Sequence, residues 1–309
     1  MVALWHINST TSDLLSEKPA NSNLKQYKSV CSMISTGTER LVASGLVDDS
    51  FHEKMKVPYQ SGNFDLPIKY GYSLIIEGEN GKLGHIMHPH QDIVEVEEED
   101  VFWIDSDIPP ERLALISNME TVLNAIWDAR IIGNEKVAIC GFGNVGALLA
   151  NTLRVYKGID AEIIEINSWR QEKIRELGWN LHDGKEHFDI IFNTSTSEEG
   201  LQYCLDHLNY EGRLIELSWF GNKKVNLELG KSFHYNRIQI IGSQVSQIPG
   251  HMKHQYDYLS RKGLALKIIE DPSFDRLIAD TIPFEKSPQF FDQLRNEEVS
   301  DGIIHILEY

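Results

Sequence analysis

The chain has 309 residues, 41% of them hydrophobic and 24% charged, a makeup that fits a soluble enzyme or binding protein with room for two domains and a well-buried core. Its 46 acidic against 29 basic side chains give a net charge of -17, which argues against contact with a nucleic-acid backbone and against attraction to anionic lipid. Cys31, Cys140 and Cys204 lie far apart in apolar segments, too few for a disulfide framework or a cysteine-based structural zinc site. Met1 to Asp13 lacks the charged and apolar regions of a secretory leader, and no apolar run approaches about 18 residues. A cytoplasmic protein with no membrane partner is therefore expected.

Residues 1 to about 110 read as mostly β. Apolar and β-branched stretches such as Tyr27 to Ile34 and Tyr72 to Ile76 are punctuated by Ser61-Gly62-Asn63 and Glu79-Asn80-Gly81. The acidic run Glu95 to Asp100 reads as a solvated strand end rather than a metal cluster. Pro109-Pro110 closes the region. From Glu111 to about Arg130 the apolar positions Leu113, Ile116, Met119, Val122, Leu123 and Ile126 keep helical spacing.

Val137-Ala138-Ile139-Cys140 is an apolar strand that runs into Gly141-Phe142-Gly143-Asn144-Val145-Gly146. After it come Val145, Leu148, Leu149, Thr152 and Leu153 at helical spacing. In such a strand-turn-helix the first glycine allows the tight turn, the second lets backbone approach a pyrophosphate, and the third lets helix pack on strand. The helix start offers amides and a positive dipole end to phosphates. Ala161 to Ile166 is a second strand, and Glu165 falls about 20 residues past the last glycine, where a carboxylate bonds ribose hydroxyls. A dinucleotide site is expected from these residues. Because a carboxylate repels a 2′-phosphate, NAD is favoured over NADP.

The alternation then continues. Arg170 to Leu177 and Gly200 to Leu208 read as helices; Phe188 to Phe192, Arg213 to Leu217 and Ile238 to Ile241 read as strands. This implies an α/β fold with a doubly wound parallel sheet. Thr194-Ser195-Thr196, Ser218-Trp219 and Ser243-Gln244-Val245 follow strand ends, where ligands lie in such sheets. Trp219 suits either a pocket wall or the core. From about residue 255 the pattern is mixed, ending in Gly302 to Leu307, a strand that can rejoin the first domain.

The arrangement resembles the medium-chain dehydrogenase/reductase superfamily of alcohol dehydrogenases and quinone reductases over nearly the whole chain. Ile34 to Val42, Lys69 to Ser73, His88 to Gln91, Glu216 to Gly221, Phe233 to Arg237 and Gly242 to Val245 look most like its bacteriochlorophyllide dehydrogenase-like branch. The resemblance implies a GroES-like catalytic domain at 1–112, a Rossmann domain at 113–254 and a return to the catalytic domain at 255–309. It also implies a homodimer joined along the sheet edge at Ile238 to Ile241, a small-molecule substrate, and Arg170 at a position that often stacks on adenine. Arg237 suits a subunit contact.

The departures bear on mechanism. Catalytic-zinc members carry ligands where this chain has Ser35-Thr36, Tyr72-Ser73 and Ser117. Hydroxyls and a neutral phenol are poor zinc ligands, and the four-cysteine lobe is missing too. A zinc-free enzyme is therefore expected, in which a side chain serves as acid, base or oxyanion donor. The candidates are Thr38, Tyr72, His88 and His90, with Glu39 and Glu120 behind them. His88 and His90, two apart on an extended segment, would share a face and form a relay or an adventitious metal pair. The expected cofactor contacts are Gly141, Gly143, Asn144, Val145, Gly146, Glu165, Arg170, Thr194, Ser195, Ser218 and Ser243. Three functions compete: alcohol/carbonyl interconversion, enone or quinone reduction, and a non-catalytic dinucleotide sensor or structural partner.

Overall fold

The computed structural model describes residues 1–19, 23–299 and 302–309. It divides into two compact units, Met1–Ser117 with Leu277–Tyr309, and Asn118–Arg276. This corrects the boundaries expected from sequence. Residues 255–276 fold with the dinucleotide unit, and residues 113–117 with the β-rich one.

The β-rich unit carries two sheets. In the smaller, Thr11–Ser16, Val2–Asn8, Ile68–Lys69 and Ser61–Gly62 are neighbours in that order. The larger is organised by Lys25–Ile34. Its first four residues pair with Ile93–Val96 and its last four with the final strand, His305–Glu308, both antiparallel. A register shift between Ser29 and Cys31, in the pairing with Leu74–Glu77, allows one strand to serve several partners. The core under helix Ser287–Arg295 is built from Phe290, Phe291 and Leu294 together with Leu4, Ile34 and Leu307. These three helix positions fall on one face at helical spacing. The region between Glu111 and Arg130, expected as one helix, is two: Pro110–Leu113 and Ile116–Ala129.

In the dinucleotide unit five parallel strands lie in the order Glu162–Ile164, Val137–Cys140, Phe188–Asn193, Leu208–Glu216 and Gln239–Gly242. A single parallel bridge from Ile163 to Leu181 continues the sheet beyond its first edge. Counting that bridge as a vestigial strand gives the doubly wound order 3-2-1-4-5-6. Val137–Cys140 is buried along its whole length, as a strand covered on both faces must be, and is accordingly apolar throughout. Gln239–Gly242 is the opposite edge and keeps most of its surface exposed.

Candidate cofactor and catalytic sites

The glycine turn leaves Val137–Cys140 and enters helix Asn144–Thr152, whose N-cap is Gly143. Gly141 has φ +93°, in the region that favours glycine. A Cβ on Gly146 would lie 2.1 Å from the Gly141 carbonyl oxygen, so this position requires the absence of a side chain. A Cβ on Gly143 would meet nothing within 4 Å. The protein leaves open space at that glycine alone of the three, which is where a pyrophosphate must approach backbone. The helical ladder begins with the Ala147 amide bonding the Gly143 carbonyl at 2.9 Å. The amides of the first turn at Asn144, Val145 and Gly146 therefore precede it.

Glu165 stands just past its strand, with its side chain 5% exposed. One carboxylate oxygen accepts from the Phe142 amide at 2.9 Å; the other accepts from Ile166 and Asn167 at 2.8 and 2.9 Å. This fixes the carboxylate beside the turn with lone pairs left for ribose hydroxyls. Arg170 has its guanidinium 3.9 Å from the same carboxylate. Sequence reasoning passed over Ile166, which is 91% exposed immediately after Glu165. Its apolar side chain is thus left in water beside the fixed Glu165 carboxylate.

The hydroxyls expected to touch the cofactor mostly have partners inside the unit. Thr194 Oγ1 donates toward the Cys140 and Gly141 carbonyls at 3.0 and 3.1 Å, fastening the turn. Ser195 donates to Asn193 Oδ1 at 2.7 Å, Ser218 Oγ accepts from the Thr196 amide at 3.1 Å, and Asn193 in turn donates to Glu216 at 2.7 Å. Burial raises the Glu216 carboxyl. Ser243 stands apart: its hydroxyl donates to Asp128 at 2.7 Å and its amide to the Glu216 carbonyl at 2.9 Å. The side chains of Thr194, Ser195 and Ser243 thus brace loops inside the unit. Trp219 is half-buried. Arg237 pairs with Glu211 of its own chain at 2.9 Å, so it has a partner without a subunit contact.

In the β-rich unit Tyr72 precedes strand Leu74–Glu77, and its phenol lies near the side-chain hydroxyls of Ser35 and Thr38 at the start of helix Thr36–Ala43. Burial pushes the phenol up to about 12, helped by the nearby Glu39 carboxylate and opposed by the two hydroxyls. Tyr72 is thus a neutral donor at ordinary pH.

Glu39 and His90 are both fully buried and meet at 2.8 Å. The other Glu39 oxygen accepts from the Ser35 amide at 2.7 Å, and His90 Nδ1 lies 2.7 Å from Ser32 Oγ, which is 2.8 Å from the Tyr309 hydroxyl. His90 Nε2 donates to the Glu39 carboxylate, and the contacts of His90 Nδ1 with Ser32 and of Ser32 with Tyr309 extend the chain to the C-terminal residue, the donor in each set by the state of the imidazole. Gly71, at φ +138°, makes room for this ring, since a Cβ there would lie 3.1 Å from it.

His88 and His90 do not act as a pair. His88 Nδ1 donates to the Pro89 carbonyl at 2.8 Å and its ring packs on Tyr59 at 5.2 Å, while burial pulls it down to about 3. The two rings have separate partners, the Pro89 carbonyl and Tyr59 for His88 and Ser32 and Glu39 for His90. Glu120 is likewise no free acid; it is 8% exposed and paired with Arg261.

His85 escaped sequence reasoning. Its Nε2 lies 3.1 Å from both Ser73 Oγ and Ser117 Oγ, whose hydroxyls donate to the Ala114 and Tyr72 carbonyls. Each serine has one proton, already given away, so His85 Nε2 is the donor. The side chains at the positions where zinc enzymes carry ligands are therefore hydroxyls with partners of their own. Such a set does not fit Zn²⁺, which takes thiolate, imidazole or carboxylate. Among the described residues the grouping of three metal-capable side chains within 4.8 Å of one another is Asp49, His52 and Asp65, which includes none of those positions.

No family model matches the chain. Among curated proteins it is 28% identical over 98 residues to (R,R)-butanediol dehydrogenase of Bacillus subtilis strain 168, a stretch spanning 32% of this chain and only 28% of that enzyme. The whole chain superposes on the crystal structure of 2R,3R-butanediol dehydrogenase from Bacillus subtilis with TM-score 0.75 and 16% identity, covering 99% of it. It also superposes on a short chain alcohol dehydrogenase of Escherichia coli CFT073 complexed with NADH, with TM-score 0.75, 10% identity and 99% of that chain covered. A third match is a Sinorhizobium meliloti 1021 protein named as a zinc-binding dehydrogenase and bound to NADP, with TM-score 0.74, 14% identity and 99% covered. Each superposition covers 100% of this chain. The chain has the two-part fold of these dehydrogenases, and the resemblance read from its sequence holds at the level of fold.

Proposed function

We propose that the protein is an NAD(H)-dependent oxidoreductase that interconverts an alcohol and a ketone or aldehyde without catalytic zinc. The observation that carries this reading is Tyr72, a buried neutral phenol beside the hydroxyls of Ser35 and Thr38, among the side chains that stand where zinc enzymes place ligands. NAD(H) would be held by the Gly141 to Gly146 turn and Glu165, with Ile166 and Arg170 toward the adenine, and when bound it supplies the hydride chemistry. In the reducing direction Tyr72 gives its proton to the carbonyl oxygen. A phenol near 12 donates downhill to an alkoxide, whose conjugate acid is weaker still. Thr38 and Ser35 hold the phenolate that results, and Glu39 with His90 fixes Ser35. His88, pinned neutral, shapes the surrounding packing.

The finer assignments belong to the same proposal. They are NAD over NADP, a cytoplasmic homodimer joined along the exposed Gln239–Gly242 edge, and zinc independence. The butanediol dehydrogenase similarity makes vicinal diols and hydroxyketones the first substrates to try. The test is a panel of secondary alcohols that includes 2,3-butanediol, followed by NAD⁺ reduction, in wild type and Tyr72→Phe. The variant should lose about 10²-fold to 10⁴-fold in kcat/KM and bind NADH as tightly as wild type. Full activity in Tyr72→Phe, or activity that vanishes with a zinc chelator, would sink the reading.

A further inference from the structure

The loop after the last parallel strand, residues 244–247, has all four of its carbonyls taken by side chains. Asn124 donates to the Gln244 and Gln247 carbonyls at 3.1 and 2.6 Å, Arg261 to the Val245 carbonyl at 2.8 Å, and the Tyr258 hydroxyl to the Ser246 carbonyl at 2.8 Å. Arg261 is the centre of this arrangement. It also donates to Asn124 Oδ1 at 2.7 Å and to Glu120 at 3.1 Å, and its side chain is 5% exposed. One guanidinium thus joins the helices Ile116–Ala129 and Tyr258–Ile268 to the loop.

The consequence concerns the amides. With every carbonyl drawn to the helices, the amides of Gln244, Val245 and Gln247 have no protein acceptor among the described residues, while that of Ser246 bonds Gln244 Oε1 at 2.7 Å. Gln244 and Gln247 are exposed. Unbonded amides on a rigid loop, at the carboxyl end of a strand in a doubly wound sheet, suit the carbonyl of a carboxamide. A buried charge and three fixed partners are more than a surface loop needs to stay folded.

We propose that Arg261, with Glu120 and Asn124, is a positioning device that holds loop 244–247 to receive the nicotinamide half of the cofactor, while the adenine half is bound independently at the glycine turn. This rests on the reading that the unit binds a dinucleotide. Arg261 touches no cofactor; it acts through the loop.

ADP-ribose has the adenine half and the pyrophosphate but no nicotinamide, so the two halves can be measured separately. In wild type, hydrogen exchange should show amides 244–247 protected by NADH and unprotected by ADP-ribose. Arg261→Gln should bind NADH at least tenfold more weakly and ADP-ribose within about twofold of wild type. Equal loss for both ligands, or no loss for either, overturns the proposal, as does equal protection of the loop by both ligands in wild type. Should Arg261→Gln not fold, the wild-type exchange experiment decides alone. If wild type binds neither ligand, the dinucleotide reading itself has failed, an outcome separate from failure of the clamp.

Discussion

The glycine turn and the Tyr72 cluster are built from different materials, and the difference decides how each can be read and broken. The turn is backbone: a strand, three glycines with distinct demands, a helix start, and one carboxylate fixed by amides within 25 residues of it in the chain. The cluster is side chains brought together from across the sequence. Glu39 meets His90 51 positions away, and Ser32 meets Tyr309 277 positions away. A backbone site writes itself into residue spacing, and a side-chain site does not.

The sharpest test of this contrast is inside the turn. Gly146→Ala puts a Cβ 2.1 Å from a carbonyl and should cost more than about 4 kcal/mol or prevent folding. Gly143→Ala meets no protein atom within 4 Å, so its stability should stay within about 1 kcal/mol of wild type, yet NADH affinity should fall at least tenfold. Thermal melts with NADH titration separate the two. Equal destabilisation by both, or unchanged affinity in Gly143→Ala, would mean the space at Gly143 is not kept for a ligand.

The side-chain region should show itself through pH. His88 is held near 3 by burial, below its ordinary 6.5. Below 6.5 the unfolded chain takes up a proton that the folded protein refuses. The stability is therefore full above 6.5 and is lost as pH falls toward 3, by up to roughly 4 kcal/mol at about 1.4 kcal/mol per unit. His88→Gln should flatten urea-unfolding free energies over that window relative to wild type. Parallel curves for the two proteins would show that His88 is protonated in the folded state.

Removing the carboxylate at the middle of the buried chain should cost somewhat less. Glu39→Ala leaves His90 Nε2–H and the Ser35 amide without their acceptor, a loss of about 2–3 kcal/mol. NADH binding should not change, because every cofactor residue named above lies in the other unit. A denaturant midpoint equal to wild type would remove the Glu39–His90 pair from the account.

The same contrast explains what the sequence made legible. The five parallel strands, the turn and Glu165 follow from apolar runs and glycine spacing. Tyr72 and Thr38 were found only by resemblance, and their proximity was not. His85 lies in an ordinary strand, and its donor role depends on two serines whose protons go to carbonyls 41 and 45 positions away. Arg261 sits on a helix with little amphipathic pattern of its own, so residues 255–276 gave no sign that they belong with the dinucleotide unit. His88 and His90 show the limit from the other side. Period-two spacing puts two residues on one face only while the chain stays in a strand, and residues 88–90 lie past the end of Leu83–Ile86.

The smallest expected effect is at Glu165, where backbone and side-chain logic meet. Its carboxylate is held by three amides, so Glu165→Ala deprives the turn of an acceptor as well as the ribose of one. Were it only structural, NADH and NADPH would weaken together. A carboxylate facing ribose hydroxyls makes a different demand, because it repels a 2′-phosphate and attracts a 2′-hydroxyl. The variant should therefore lose about tenfold in NADH affinity and little in NADPH affinity, narrowing the ratio by about 1.4 kcal/mol. Arg170, 3.9 Å from the carboxylate, would then be released toward the phosphate and narrow it further. In Glu165→Ala/Arg170→Ala that last gain should disappear. A ratio unchanged in the single variant would leave Glu165 as a brace for the Phe142 amide and move cofactor choice to another residue.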